Sequence, residues 1–139
     1  LRIRSFYRII GEMESLGDSG EGIGKIMGRA WAHEKVFSEE MVSKLDKMID
    51  LIDSAYDAMH YNLDTPLVSL PDIANAEDAE ARINACRDLL REEHLSHVEQ
   101  ANYPYETGAF YMDVVNALEK MGDFIINISQ AQFSAKPTR

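Results

Sequence analysis

Two short stretches carry acidic side chains at a spacing that could do chemistry: Glu14-Ser15-Leu16-Gly17-Asp18 near the start of the chain and Glu119-Lys120-Met121-Gly122-Asp123 near its end. On a helix, residues four apart project from one side, so each stretch presents two carboxylates about one turn apart with a glycine beside them. Two such helices facing each other would gather four carboxylates: Glu14, Asp18, Glu119 and Asp123. Oxygen-only sets suit hard cations such as Mg²⁺, Ca²⁺ or Mn²⁺, and iron or zinc where the metal offsets the mutual repulsion. The competing reading is a solvated face, because acidic residues four apart are common on exposed helices and repel only mildly in water.

The match extends beyond the acidic residues. Shifting the chain by 105 positions, the distance from Glu14 to Glu119, also lays Phe6 on Tyr111, Ile9 on Val114, Ile10 on Val115, Met13 on Leu118 and Ile23 on Ile128. The first and last helical segments are therefore expected to be copies of one unit. A solvated face has no reason to keep the glycine and the apolar frame, so the duplication weighs towards a shared role for the carboxylates.

The elements that must carry these residues are helices. Prolines occur only at positions 66, 71, 104 and 137, and apolar residues recur between them at three- and four-residue spacing. The first helix is expected from about Ile3 to Trp31, with Ile3, Phe6, Tyr7, Ile10, Met13 and Gly17 along its packed face, then Ile23, Met27 and Ala30. Its six glycines each cost a helix interior about 1 kcal/mol relative to alanine, which close helix contact would offset. The second helix starts after the N-cap Ser38, with Glu39 and Glu40 in its first turn and Met41, Leu45, Met48, Ile49, Ile52, Ala55, Tyr56 and Met59 towards the core. From His60 to Pro71 the pattern fails, which predicts a connecting loop. A third helix is expected to begin near Asp72 or Asn75, to carry Ile83, Cys86, Leu89, Leu90, His94, Val98 and Ala101, and to end at Tyr103-Pro104. A fourth runs from about Glu106 to Phe133, and the short turn before it makes helices three and four antiparallel neighbours. The expected fold is an all-α antiparallel four-helix bundle, one domain over residues 1–139.

Composition narrows the function classes. With 14 basic and 24 acidic residues and a formal charge of −10, the chain repels phosphate backbones on average, and nucleic acid is not expected as a partner. The lone Cys86 makes neither an intrachain disulfide nor a multi-cysteine metal site, and it reads as a small buried hydrophobe in a reducing compartment. No stretch reaches the roughly 20 apolar residues of a membrane-spanning helix. The chain opens on Leu1 rather than Met, as a piece cut from a longer protein would.

Sharper motifs fail on spacing. Gly20-Glu21-Gly22-Ile23-Gly24-Lys25 has Ser19 and Ile26 where a phosphate-binding loop needs glycine and a hydroxyl residue. Glu92 and Glu93 lack the histidine three residues on that a ferritin-type di-metal centre uses, since Leu95 and Ser96 stand there. His94 reads as a core-edge residue and His97 as a surface one. No nucleophile has a recognisable partner set, so catalysis is not expected. Trp31, Phe37 and Tyr103 read as packing at the bundle ends or, if exposed there, as a partner surface.

Met13 to Asp18 and Leu118-Glu119-Lys120-Met121-Gly122-Asp123-Phe124-Ile125-Ile126-Asn127-Ile128 resemble the Leu-Glu-Arg-Ile-Gly-Asp-His-x-x-Asn-Ile element of PhoU domains. The stretch from Leu90-Arg91-Glu92-Glu93-His94-Leu95 to Ala109-Phe110-Tyr111-Met112-Asp113 is similar to the C-terminal cytoplasmic region of bacterial Na⁺/phosphate cotransporter-family proteins. A complete PhoU domain has two three-helix units with this element on the last helix of each. The resemblance therefore implies that the chain holds the closing helix of the first unit and all of the second, preceded by a membrane transporter. It implies metal binding, by divalent or iron-type ions, at Glu14, Asp18, Glu119 and Asp123. It also implies a regulatory role at the cytoplasmic side of the inner membrane, beside the attached transmembrane transporter domain, with a homodimer as one way to cover the open bundle. A free-standing PhoU-type adaptor in phosphate signalling is the second role it implies. The chain departs from the element at Ser15 and Lys120 in place of arginine, Ser19 and Phe124 in place of histidine, and Gly22 in place of the first asparagine.

Overall fold

The computed structural model describes residues 2–35 and 37–137. It is an all-α four-helix bundle built from α1 (Arg2–Ala32), α2 (Glu39–Asp64), α3 (Ala74–Glu99) and α4 (Tyr105–Ser134), with a single 3-10 turn, Leu67–Ser69, between α2 and α3. No strand occurs among the described residues.

The expected helix signals act where the sequence places them. The Ser38 hydroxyl accepts from the Met41 N–H at 3.2 Å, with Glu39 and Glu40 in the first turn behind it. The Asp72 carboxylate accepts from the Ala74 N–H at 2.9 Å as α3 begins. At the other end of α3 the chain reverses through Ala101, whose φ of 51° lies in the left-handed region, and Asn102 N–H returns to the His97 carbonyl. Pro104 then opens α4.

One expected loop is largely helix. Helix α2 continues four residues past His60, because Asn62, which reads as a turn residue, is fully buried and fully used. Its amide exchanges hydrogen bonds with Asn75 at 3.0 and 2.9 Å and donates to Ser129 Oγ at 3.4 Å, and its carbonyl accepts from Gln132. These bonds tie the end of α2 to α3 and α4 and supply the partners that a buried amide requires.

Helices α2, α3 and α4 pack on one another around Met48, Ile83, Val115 and Ile128, all fully buried, whereas α1 rests essentially on α4. The expected packed face of α1 is consequently wrong from Ile3 to Gly17 and at Met27, and right at Ile23 and Ala30. Ile3 is 72% exposed, Phe6 63% and Tyr7 70%, and Ile10, Met13 and Met27 are also open to solvent. The side that meets α4 carries Ser5, Ile9, Leu16 and Ile26 together with the expected Ile23 and Ala30, roughly 140° round the helix from the stripe of Ile3 to Gly17. The glycines of α1 do not mark close helix contact either, since a Cβ at Gly11, Gly17, Gly20, Gly22, Gly24 or Gly28 would meet nothing within 4 Å. On α2 and α3 the core stripe is narrower than the spacing predicts, with Ile49, Tyr56, Leu89 and Val98 exposed.

The pairing of α1 with α4 makes sense of the duplication. The two helices run antiparallel, with Asn127 donating to Glu12 at 3.3 Å, His33 stacked on Phe110, and Lys35 paired with Glu106 at 3.0 Å. Residues of α1 on this contact correspond, under the same shift of sequence, to residues of α4 on it, so the pair has an approximate two-fold axis. The stripe of α4 turned to α2 and α3, namely Tyr111, Val115, Leu118, Gly122, Ile125 and Ser129, is buried throughout. Its counterpart on α1 is Phe6, Ile10, Met13, Gly17, Gly20 and Gly24, and that stripe is exposed throughout.

Candidate functional site

The four carboxylates singled out in the sequence do not converge. Glu119 and Asp123 turn from α4 towards α3, and Glu14 and Asp18, their counterparts, turn outward on the exposed side of α1. Asp18 borders a shallow open groove between α1 and α4 together with Lys120. The reason is the two-fold relation: an antiparallel pair buries the same stripe of each helix, so the acidic residues beside that stripe end on different sides.

What Glu119 and Asp123 meet on α3 is a third carboxylate, Glu80, and a guanidinium, Arg87. Glu119 pairs with Arg87 at 2.8 Å, and both side chains are about one-fifth exposed. Burial, then Asp123 and the Glu119 charge, raises the Glu80 carboxyl above its ordinary value. The Glu119 carboxyl is also raised, by burial first and by Asp123 next, with Arg87 pulling the other way. The three carboxylates are therefore crowded and partly dry, a setting that favours a shared proton or a cation.

The oxygen chemistry suits a hard cation, but the side chains as they stand do not fit one. Glu119 is committed to Arg87, and no group of three or more His, Cys, Asp or Glu among the described residues is placed to hold a metal ion. Asn127, on the same element, donates to Glu12 of α1 and so serves the helix contact.

Glu80 was missed in the sequence although a signal was present. Glu80, Ile83, Arg87 and Leu90 recur at three- and four-residue spacing, and Ile83 and Leu90 are buried. A carboxylate and a guanidinium on a core stripe must meet partners there.

A second polar cluster closes the far end of the bundle. Lys44 of α2 reaches Glu93 at 2.6 Å and Glu40 at 2.9 Å. Burial opposes its charge, but the two carboxylates more than offset this and hold its pKa above the ordinary lysine value. His94 Nδ1 and the Tyr103 hydroxyl share a short hydrogen bond with their rings stacked, and the His97 ring also lies against Tyr103, with centroids 5.2 Å apart. Burial, then His97, lowers the His94 pKa, and burial pushes the Tyr111 phenol up to about 12. The enclosed space beside these groups is about 30 Å³, enough for a water and too small for a substrate. Its polar groups are turned on one another, as a pin for the turn between α3 and α4 would be. Cys86 is half-buried, with its thiol pKa raised chiefly by burial, which leaves it in the poorly nucleophilic thiol form.

No helix among the described residues is long and apolar enough to cross a membrane. Compared with known proteins, the chain matches no family model, no curated protein and no solved structure.

Proposed function

We propose that the chain is a PhoU-like regulatory domain of a sodium-dependent phosphate transporter-family protein, working at the cytoplasmic side of the inner membrane without catalysis of its own. The observation that carries this reading is the repeated acidic element standing on two antiparallel helices related by an approximate two-fold axis. One copy is engaged by α3 through Arg87, Glu80 and Ile83, and the other is presented outward. Such a domain acts by changing which helix surfaces are engaged, and the crowded carboxylates at Glu80, Glu119 and Asp123 are where cation or proton status would act on it. A free-standing PhoU-type adaptor acting on a separate transporter is the second form of the same reading.

Calorimetric titration with Mn²⁺, Mg²⁺ and Fe²⁺ of protein purified without chelator tests the cation half. Because Glu119 would have to release Arg87 to hold a metal, binding by the wild type that is lost in Glu119→Gln/Asp123→Asn supports the cation half, and no binding by the wild type removes metal from the reading. Phosphate uptake by cells carrying the complete gene, with and without the same two substitutions, tests the regulatory half. Uptake that responds to phosphate supply identically in both refutes a role for this element in regulation.

A further inference from the structure

We infer that a cleft between the C-terminal end of α1 and the start of α4 is a docking site for an arginine side chain presented by a partner polypeptide. The inference is independent of the transport reading and of the repeated acidic element. The cleft has a volume of about 350 Å³, is open to solvent, and is lined by His33, Tyr105, Glu106, Ala109, Phe110 and Asp113. Its shape follows from the sequence of α4. Tyr105, Ala109 and Asp113 stand at four-residue steps and share one side of the helix, so the small Ala109 leaves a trough between an aromatic ring and a carboxylate. Phe110 walls the trough, with the His33 ring stacked on it at a centroid distance of 6.2 Å. The Tyr105 ring is 76% exposed and so is left to the cleft rather than to the core.

The charge of the cleft selects a cation. Glu106 is already met by Lys35 at 3.0 Å, whereas Asp113 has no ion pair among the described residues. The negative end of α1 and the positive end of α4 meet here and offset each other, and Asp113, two turns into α4, lies beyond the reach of both. The carboxylate therefore sets the sign, in a chain whose net charge is −10. A ring beside an unpaired carboxylate suits arginine above other cations. The flat guanidinium stacks on an aromatic face and offers paired N–H donors to the carboxylate, while its apolar stem lies over Ala109. A quaternary amine would satisfy the rings and bring the carboxylate no donor, and a neutral side chain would leave the Asp113 charge unmet. A second copy of the chain is the weaker occupant, because it brings the same negative charge.

Nuclear magnetic resonance titration of the isotope-labelled chain with the peptide acetyl-Gly-Arg-Gly-amide tests this. Saturable shifts are expected at the amides of His33, Tyr105, Ala109, Phe110 and Asp113. The citrulline counterpart, which keeps the shape and loses the charge, is expected to bind at least about fivefold more weakly, and so is choline. Asp113→Asn and Tyr105→Ala are each expected to weaken the arginine peptide at least about threefold. Asp57→Asn, which removes an exposed carboxylate near the opposite end of α2, is expected to leave it unchanged. Tyr105 and Asp113 are both exposed, so their variants keep the fold, which the same spectra report. Absence of saturable shifts at these amides overturns the inference. So does equal binding of the citrulline peptide, tighter binding of choline, or equal weakening by Asp57→Asn. Shifts at the same amides that grow with protein concentration alone also overturn it, since they would make the occupant a second copy.

Discussion

Glu80 and Glu119 oppose the fold at neutral pH, and the direction follows from their protonation. The Glu80 and Glu119 carboxyls sit above their ordinary values, so in the window just above pH 4.5 the folded chain holds protons that the unfolded chain has released. Their contribution to stability is present below that window and lost as pH rises through it. Glu80→Gln removes one charge and keeps an amide that can hydrogen-bond Asp123. It is expected to raise stability at pH 7 by a few tenths to about 1 kcal/mol in urea unfolding, with the gain vanishing near pH 4. A variant less stable at pH 7 would show that Glu80 attracts rather than repels. The opposite sensitivity belongs to Gly108, where a Cβ would stand 2.5 Å from the Tyr103 ring and 2.8 Å from His94. Neither ring can yield without breaking its bond to the other, so Gly108→Ala is expected to lower stability by about 1–3 kcal/mol in the same measurement. Of these residues, Glu119 and Asp123 were legible in the sequence because they repeat. Glu80 and Gly108 were not, because their roles depend on a neighbour from another helix that only the packing supplies.

At the scale of the helix, type and order were legible and facing was not. The cap at Ser38, the Asp72 carboxylate on the Ala74 N–H and the stop at Pro104 act locally, so the sequence carries them in full. Periodicity misleads on the face of α1 from Ile3 to Gly17 for a physical reason: its strongest apolar stripe is the one left bare, and the side on α4 is mixed, with Ser5, Ser15 and Ser19 among its residues. Periodicity shows that a stripe suits burial and is silent on whether a partner is present. The glycines of α1 carry the same lesson, since in this chain they have helix cost without the contact that would repay it. Gly20→Ala/Gly24→Ala is therefore expected to raise the stability of α1 by roughly 1 kcal/mol per site, read as slower amide exchange across residues 17–27. Unchanged or faster exchange there would mean that these positions already contact something.

The molecule as a whole is a three-helix unit with a fourth helix laid on its outer side, and its stability should divide along that line. Helices α2, α3 and α4 share the fully buried Met48, Ile83, Val115 and Ile128, and the Asn62 network crosses all three. Helix α1 adds half-buried Ile9, Leu16, Ile23 and Ile26 on one side and six glycines in its length, so the free energy of peeling it from α4 is smaller than that of opening the unit beneath. Native-state hydrogen exchange is expected to show α1 amides exchanging through a local opening that denaturant scarcely affects, and the amides near Val115 and Ile83 only through global unfolding. Acidification should strike at another place, the far end of the unit. His94 has its pKa depressed in the fold, so between the unfolded value near 6.5 and its lower folded value the unfolded chain binds more protons, and the stability it contributes is lost as pH falls through that range. The neighbouring groups turned to it, His97, Lys44, Glu40, Glu93 and Tyr103, either hold the same end or meet Lys44, so protonation there loosens the α3–α4 turn and leaves the contact of α1 with α4 untouched. Exchange at amides of residues 97–108 should then accelerate between pH 7 and pH 5.5, after correction for intrinsic rates, while α1 holds constant. Acceleration of α1 ahead of the turn would place the acid-sensitive contact on the wrong side of α4.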